Sequence, residues 1–188
     1  ANLNASVATV FWSDTGQVFL ESVRFDCVGI RGRKQIVSLA ALQSEYVSSP
    51  GTWPETAHLL AAMHCIDEGS HHEIEKAWAF GRLIANSDMH AGNLSFYLSD
   101  APLRMAPVYD MLPMAFAPAN SGAMRNEAID IKVDSTVSKA AWAFALPLAR
   151  QFWQQVLDDK RISAGFQDLA RAMLEELTLA ASIIQRLA

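Results

Sequence analysis

The sequence predicts a mainly α domain of the α+β class, in which a helical body carries a small antiparallel sheet. Runs rich in β-branched and aromatic residues precede residue 40 and predict strands. After Pro54, apolar residues recur at helical spacing, and the stretch from Phe166 to Leu187 keeps that spacing to the end of the chain. We therefore expect a helical domain with its sheet at one end.

The composition is that of one globular domain. The chain has 188 residues, of which 51% are hydrophobic, and this length is sufficient to bury one sizeable core. The formal net charge of -5 argues against general binding of nucleic acid, so we expect no direct binding of DNA by this chain. Arg31, Arg33 and Lys34 form a local basic cluster. Such a cluster ordinarily indicates a solvated turn, and the alternative interpretation is a contact with phosphate.

Cysteine usage and hydropathy indicate a cytoplasmic protein without a membrane partner. The two cysteines, Cys27 and Cys65, are too few for a disulfide framework and are expected to be reduced thiols. No apolar run approaches the roughly 20 residues of a membrane span. The first residues, 1–6, lack the features of a signal or transit peptide and also lack an initiator Met, so we expect the chain to begin within a longer protein.

The strands are predicted in two groups. Residues 8–12 and 18–23 flank the turn residues 13–16 and predict a hairpin, and residues 35–39 predict a further short strand. A loop is expected over 48–52. Residues 94–98 and 103–108 predict a second hairpin, and the stretch 117–134 lacks periodicity and is expected to be a long loop.

The helices begin after that first loop. Pro54 suits the first turn of a helix that Gly69 would end, and Ser70 and Glu73 match a capping box that would open the next helix. Two or three helices are expected to close the chain, and apolar stripes on the helix after Ser70 and on the closing helices predict the core. The stripes are Ile74, Ala77, Trp78, Gly81 and Ile84, then Leu148, Phe152, Trp153 and Val156, then Phe166, Leu169, Met173, Leu177, Ala180, Ile184 and Leu187.

Three polar residues lie where a helix gives way to the second hairpin. Asp88 and Asn93 stand in a short polar loop before the first strand, and Asp110 follows the second strand. Because an antiparallel hairpin brings these two strand ends together, the three side chains are expected to converge. Two carboxylates and an amide oxygen are hard ligands that suit Mg²⁺, and this set serves phosphoryl transfer. The alternative is that Asp88 and Asn93 simply cap turns.

The loop Asp88-Met89-His90-Ala91-Gly92-Asn93, followed by a hairpin and then Tyr109-Asp110, resembles the HipA-like kinases, which are distant relatives of protein kinases. The segment 22–26 also resembles their hinge, where the chain passes the adenine. The resemblance runs from about residue 17 to the C-terminal helices. It implies a protein-kinase-like C-lobe.

The resemblance implies a role for six residues. Asp88 would be the catalytic Asp, and His90 would support the catalytic loop. Asn93 and Asp110 would bind Mg²⁺. The cofactor would be ATP. Val23 and Phe25 would offer backbone groups to its adenine, and Phe25 would also pack near it.

Two positions depart from the family pattern. Gly92 stands where the family commonly has a Lys, so one contact with phosphate is expected to be absent, and Cys27 stands where an Arg often follows the Phe-Asp pair. Neither departure affects the predicted metal ligands.

The resemblance also implies that the chain is a fragment, with a degenerate relative as the alternative. A kinase needs a phosphate-covering loop and a Lys upstream of the hinge, and Lys34, the first Lys, comes after it. We therefore expect residues 1–28 to be a residual N-lobe hairpin and hinge and residues 29–188 to be the helical C-terminal lobe. The implied partners are the missing N-terminal lobe, a protein substrate with Ser or Thr, and a DNA-binding antitoxin of a bacterial toxin–antitoxin pair. The alternative function is a regulatory or DNA-associated protein that uses a kinase-like scaffold without catalysis.

Four residues between positions 64 and 72 offer possible zinc ligands. His64, Cys65, His71 and His72 lie close together in the chain, but their spacing matches no standard zinc motif. The last two also fall within the predicted capping box. The sequence therefore argues against a zinc site formed by these four residues.

Overall fold

The computed structural model describes residues 3–49 and 51–187 of the chain. Ala1 and Asn2 of the segment 1–6, and Pro50 of the predicted loop 48–52, lie outside the described residues. The described part forms a mainly helical α+β fold, as the sequence predicts. Its strands are β1 (Ala8–Trp12), β2 (Val18–Ser22), β3 (Cys27–Val28), β4 (Gly32–Arg33), β5 (Ile36–Ser38), β6 (Ser95–Tyr97) and β7 (Arg104–Met105). Its α-helices are α1 (Leu39–Tyr46), α2 (Trp53–Ala62), α3 (Glu68–Leu83), α4 (Lys139–Asp158) and α5 (Ala164–Arg186).

The predicted first hairpin is confirmed. Strands β1 and β2 pair antiparallel, with Phe11 opposite Phe19. Gly16 closes the turn at a φ of 80°, a left-handed conformation that glycine adopts without a steric penalty. Every residue of both strands is exposed, so this hairpin lies outside the hydrophobic core.

The second predicted hairpin is present as β6 and β7, which belong to a three-stranded antiparallel sheet. Its order is β5-β6-β7, with Val37 opposite Phe96 and Phe96 opposite Met105. Phe96 is fully buried against the helices. Helix α1, which the sequence analysis did not predict, follows β5 directly because Ser38 caps it by accepting the backbone N–H of Ala41.

Helix α2 begins with a capping box that the sequence analysis missed. The Thr52 hydroxyl accepts the backbone N–H of Glu55, and the Glu55 carboxylate accepts the backbone N–H of Thr52 at 2.7 Å. Pro54 lies in the first turn, as predicted. The prediction that Gly69 ends this helix is wrong, because the helix ends at Ala62 and His64 turns the chain with a φ of 56°.

The predicted capping box at Ser70 and Glu73 is also wrong. Helix α3 begins at Glu68, and Asp67 is its N-cap, accepting the backbone N–H of Ser70 at 2.8 Å. Ser70 therefore lies inside the first turn, where its hydroxyl donates to the Asp67 carboxylate and accepts the backbone N–H of Met105. Asp and Ser are equally good N-caps, so the local sequence alone does not decide between the two starts.

Helices α3, α4 and α5 pack together as the core, and their apolar stripes are confirmed. Ile74 on α3, Trp153 on α4 and Met173 on α5 are completely buried. The buried Trp153 donates its indole N–H to the Leu83 carbonyl at 3.3 Å, which satisfies its one polar group. The stretch 117–134 is free of strands and α-helices, as predicted. Within the described ranges, the longest helices remain too short or too polar to cross a membrane.

Candidate active site

The candidate site is built on a sharp turn at the C-terminal end of α3. The helix closes with the N–H of Asn86 donating to the Gly81 carbonyl at 2.8 Å, and Ala85 adopts a φ of 63° that reverses the chain. This left-handed conformation is uncommon for a residue with a Cβ. The turn directs residues 86–93 back across the helix that precedes them.

Gly81 allows two chain segments to approach α3 closely. A Cβ at this position would collide with the Met89 sulfur and would lie 3.3 Å from the Met111 sulfur. Met89 follows Asp88, and Met111 follows Asp110. The missing side chain of Gly81 therefore lets the segments that carry both predicted carboxylates pack on the same part of the helix.

Asn86 connects the same two segments. It is buried, and its side-chain oxygen accepts the backbone N–H of Asp88 at 2.9 Å. Its side-chain nitrogen donates to the Asp110 carbonyl at 3.5 Å, a long hydrogen bond, and lies 3.4 Å from the Met111 sulfur. The backbone at Asp88 is thus linked to the backbone at Asp110 through one buried amide.

The predicted residues Asp88, His90 and Asn93 form one compact loop. The Asn93 side-chain nitrogen donates to the Asp88 carbonyl at 2.9 Å, which leaves the amide oxygen of Asn93 free to accept another group. The His90 Nδ1 accepts the backbone N–H of Gly92 at 3.0 Å and so caps the short 3-10 turn Ala91–Asn93. Because Nδ1 is an acceptor, the proton of the neutral imidazole lies on Nε2, 3.9 Å from the Asp88 carboxylate. This distance is too long for a hydrogen bond.

A further contact holds this loop to helix α2. The indole N–H of Trp53 donates to the His90 carbonyl at 3.0 Å. A Cβ at Gly92 would lie 2.8 Å from the His90 ring. Gly92, one of the two departures from the family pattern, therefore leaves room for the His90 ring in its observed position.

Tyr109 links the end of the second hairpin to the loop. Its hydroxyl donates to the Gly92 carbonyl at 3.0 Å and therefore accepts from the Ser95 hydroxyl, 2.9 Å away. The next residue, Asp110, has a φ of 56° and an exposed side chain. The structure thus brings the backbone around Asp88, Asn93 and Asp110 together through Asn86 and Tyr109.

Of the two predicted adenine-binding residues, Phe25 packs against Tyr109. The ring of Phe25 stacks on the ring of Tyr109 with centroids 5.7 Å apart, and the Tyr97 ring meets Phe25 edge-on at 6.3 Å. Val23 is exposed, and its backbone N–H donates to the Val7 carbonyl at 2.8 Å. The backbone group that Val23 offers to a ligand is therefore its carbonyl oxygen.

An ion pair between Arg24 and Asp26 fixes the segment that leads from Val23 to β3. The Arg24 guanidinium donates two hydrogen bonds to the Asp26 carboxylate, at 2.9 and 2.6 Å. The hydrogen bond from Arg24 lowers the pKa of Asp26 from its ordinary value. Planar bidentate pairs of this kind hold both partners in one orientation.

A groove of about 830 Å³ opens beside Asp110. The first hairpin forms one wall, through Leu20 and Ser22, and α4 forms the other, through Phe152 and Gln155. Tyr109 and Asp110 both line it. The groove therefore adjoins the predicted metal ligand, although most of its lining is apolar.

The family model described as HipA-like C-terminal domain matches residues 1–182 of the chain. The chain belongs to the HipA-like C-terminal domain family. Toxin YjjJ of Escherichia coli (strain K12) is 53% identical over 175 residues. That alignment covers 93% of this HipA-like chain and 40% of the toxin, so the chain spans about two fifths of the length of this curated relative.

The fold of this HipA-like chain has a solved counterpart. A chain in the complex of the Shewanella oneidensis MR-1 toxin–antitoxin proteins HipA and HipB with operator DNA matches with a TM-score of 0.61. The match covers 97% of the present chain and 53% of that chain, at 13% sequence identity. At this identity the likeness concerns the fold, which is helical with small antiparallel sheets.

Sequence reasoning missed two residues that organise the site. Asn86 was not singled out, although a polar residue directly after the apolar run 83–85 is a usable signal. Gly81 was assigned to the apolar stripe without its role in close packing. Tyr109 entered the sequence analysis only as part of the Tyr109-Asp110 pair, and in the structure its hydroxyl donates and accepts hydrogen bonds.

Proposed function

We propose that this chain is the C-terminal catalytic lobe of an ATP- and Mg²⁺-dependent serine/threonine protein kinase of the HipA-like toxin type. The reaction would transfer the γ-phosphoryl group of ATP to a Ser or Thr hydroxyl of a protein substrate. The observation that carries the proposal is the pair of links, through Asn86 and Tyr109, between the Asp88–Asn93 loop and the backbone at Asp110. Membership of the HipA-like family supports it.

The donor chemistry of the site fits Mg²⁺ carried on ATP. The carboxylates of Asp88 and Asp110 are accessible, and the amide oxygen of Asn93 is free because the amide nitrogen is already engaged. These are hard oxygen ligands of the kind that Mg²⁺ prefers. Bound Mg²⁺ would neutralise charge on the phosphate oxygens of the nucleotide. In this proposal Asn93 and Asp110 hold the ion.

The protein side chains would mainly position the reactants. Asp88 would orient the attacking hydroxyl and accept its proton, and His90 would keep the loop in shape by capping its 3-10 turn. Val23, through its carbonyl, and Phe25, on the aromatic stack with Tyr109, would contact the adenine. Phosphoryl transfer depends chiefly on such positioning and on charge stabilisation.

The complete protein is proposed to contain more than this lobe. The chain spans 40% of the toxin relative and 53% of the matched HipA-complex chain. We assign residues 1–28 to the edge of an N-lobe with the hinge and residues 29–188 to the C-lobe. The proposed partners are that N-lobe, a protein substrate and, by analogy with the HipA–HipB–operator complex, a DNA-binding antitoxin, all in the cytoplasm.

The test uses the complete protein that contains this sequence. Asp88→Asn should bind Mg²⁺-ATP with nearly parental affinity but transfer phosphate about 10²–10⁴-fold more slowly. Asp110→Asn should lose both Mg²⁺-dependent nucleotide binding and turnover; Asn is preferred to Ala here because Asn tolerates the positive φ of Asp110 better. Asp100→Asn, in an exposed turn, is the matched control.

Calorimetry with Mg²⁺-ATP and a phosphate-transfer assay separate these effects. Parental turnover by Asp88→Asn would contradict the proposal. If the parent protein itself neither binds nor hydrolyses ATP, the chain is instead a non-catalytic regulatory or DNA-associated scaffold.

A further inference from the structure

A cluster of nitrogen and oxygen donors lies at the start of α3, at the end of the helix opposite the candidate active site. Glu68, His71 and His72 occupy positions i, i+3 and i+4, which lie on one face of a helix. One ligand atom from each residue lies within 4.8 Å of the others. The Glu68 carboxylate is 3.7 Å from His71 Nδ1 and 3.8 Å from His72 Nε2.

The true start of α3 makes this cluster available. The N-cap of α3 is Asp67, which accepts the backbone N–H of Ser70. The imidazoles of His71 and His72 and the carboxylate of Glu68 therefore take no part in capping the helix. The grouping also differs from the one that the sequence suggested, because His64 and Cys65 lie outside it. The third potential ligand is instead the Glu68 carboxylate, which supplies an oxygen.

His71 presents a buried nitrogen without a hydrogen bond. Its side chain is 14% exposed, and its Nδ1 is enclosed and lacks a hydrogen-bond partner among residues 3–49 and 51–187. Buried polar atoms are nearly always satisfied, so such an exception calls for an explanation. The rings of His58 on α2 and of His72 pack beside it, with centroids 5.8 and 5.4 Å away. A metal ion bound to this nitrogen would satisfy it.

The charges around the cluster favour a cation on balance. A helix N-terminus opposes positive charge by about 0.3–1 kcal/mol. Glu68 contributes one carboxylate, and Glu75 contributes a second, 3.9 Å from His72 Nδ1. Asp67 adds a third negative charge at the N-cap. These three groups together offset the helix dipole.

We propose that Glu68, His71 and His72 form a binding site for a divalent transition-metal ion of the Zn²⁺ class. Two imidazoles with one carboxylate suit Zn²⁺, whereas Mg²⁺ prefers sites made of oxygen alone. The exposure of His72 and Glu68 leaves the remaining coordination positions open to water. The site is therefore chemically distinct from the oxygen-ligand site around Asp110.

Metal bound here would stabilise the junction between α3 and the sheet. Ser70 accepts the backbone N–H of Met105, and the backbone N–H of Asp67 donates to the Leu103 carbonyl at 3.0 Å. The ligands lie on the same helical turns as these two links. Binding of Zn²⁺ to the folded state alone would therefore raise the melting temperature in a concentration-dependent way.

The proposal is tested by titrating the metal-free protein with Zn²⁺ in competition with a chromophoric chelator. The parent should bind one equivalent at this site. His72→Ala and Glu68→Gln, which change exposed side chains and should fold normally, should each weaken binding by at least about tenfold and abolish the thermal shift. The matched control is the double variant His64→Asn with Cys65→Ser, which should bind as the parent does.

Two outcomes would overturn the proposal. One is that the parent fails to bind Zn²⁺ at concentrations up to 100-fold above those of the protein. The other is that the control loses binding while His72→Ala and Glu68→Gln retain it, which would assign the metal to the neighbouring His64 and Cys65. Circular dichroism of each variant establishes that it is folded before its affinity is compared.

Discussion

The side-chain oxygen of Asn86 accepts the backbone N–H of Asp88 at 2.9 Å, while the same buried amide reaches back to the Asp110 carbonyl. One buried side chain is therefore hydrogen-bonded to the backbone at both predicted site residues, Asp88 and Asp110. Through this contact the end of α3 is coupled to both sides of the candidate site.

Asn86→Ala should destabilise the fold by about 1–3 kcal/mol, because it leaves buried backbone groups without partners. Urea unfolding followed by circular dichroism measures this change. Ser87→Ala, at the exposed neighbouring position, should cost much less and serves as the control. Equal unfolding free energies for the two variants would contradict the bridging role of Asn86.

Gly81→Ala should lower the free energy of unfolding. This is the opposite of what helix propensity alone predicts, since Ala is favoured over Gly in a helix by about 1 kcal/mol. The added methyl meets the Met89 sulfur, and displacing that side chain should cost about 1–3 kcal/mol. In a Met89→Ala background the same substitution should become neutral or stabilising. Gly165→Ala, where the new Cβ meets open space, is the control in α5. The unfolding free energies of the parent, Gly81→Ala, Met89→Ala and the double variant, measured in urea, form a double-mutant cycle. The absence of coupling between the two substitutions would disprove the close approach of Met89 to Gly81.

Tyr109→Phe should cost about 1–2 kcal/mol of stability, because it removes the hydrogen bonds to Gly92 and Ser95 but keeps the stack on Phe25. Tyr109→Leu should cost a further 0.5–1.5 kcal/mol or so, through loss of the aromatic pair. Tyr46→Phe, at an exposed position on α1, should have little effect. Thermal melts that rank all three variants alike would contradict this assignment.

The pair of Arg24 and Asp26 predicts a stability change in acid. The pKa of Asp26 is lower in the folded state, so ionised Asp26 stabilises the fold above its unfolded-state pKa, near pH 4. This contribution should disappear as the pH falls through the lower folded-state value. Melting temperatures measured from pH 6 to pH 2 should therefore drop less for Asp26→Asn than for the parent. Parallel curves would show that the pair contributes nothing to the pH dependence.

The first hairpin should drive self-association of the isolated chain. Val18 and Leu20 are 64% and 68% exposed on a strand that carries no buried residue, and apolar patches of this kind promote association. Sedimentation velocity should show concentration-dependent oligomers that the double variant Val18→Lys with Leu20→Lys reduces. Ile30→Lys, at a more exposed isolated site, is the control. A monomeric parent at high concentration would refute the prediction.

Several elements of this protein follow from local sequence. The hairpin around residues 13–16, the long loop 117–134 and the stripes of α3, α4 and α5 were all predicted, because turn chemistry and apolar periodicity act over a few neighbouring residues. The HipA-like resemblance was likewise readable from the loop 88–93 with Tyr109-Asp110. The roles of Asp88, His90, Asn93, Asp110, Val23 and Phe25 stay predictions.

Only the tertiary structure decided the contacts that depend on packing partners. Asp67 rather than Ser70 caps α3, because the Ser70 hydroxyl holds the backbone N–H of Met105, which is 35 residues away along the chain. Gly81 is required because Met89 and Met111 pack over it. The sequence by itself determined the two hairpins, the loop 117–134 and the apolar stripes of α3, α4 and α5, since turn chemistry and periodicity are local, but it did not determine α1 or the exact helix ends. The choice of capping residue, the buried bridge through Asn86 and the grouping of Glu68 with His71 and His72 were decided by the fold, because each rests on geometry that the linear pattern does not specify.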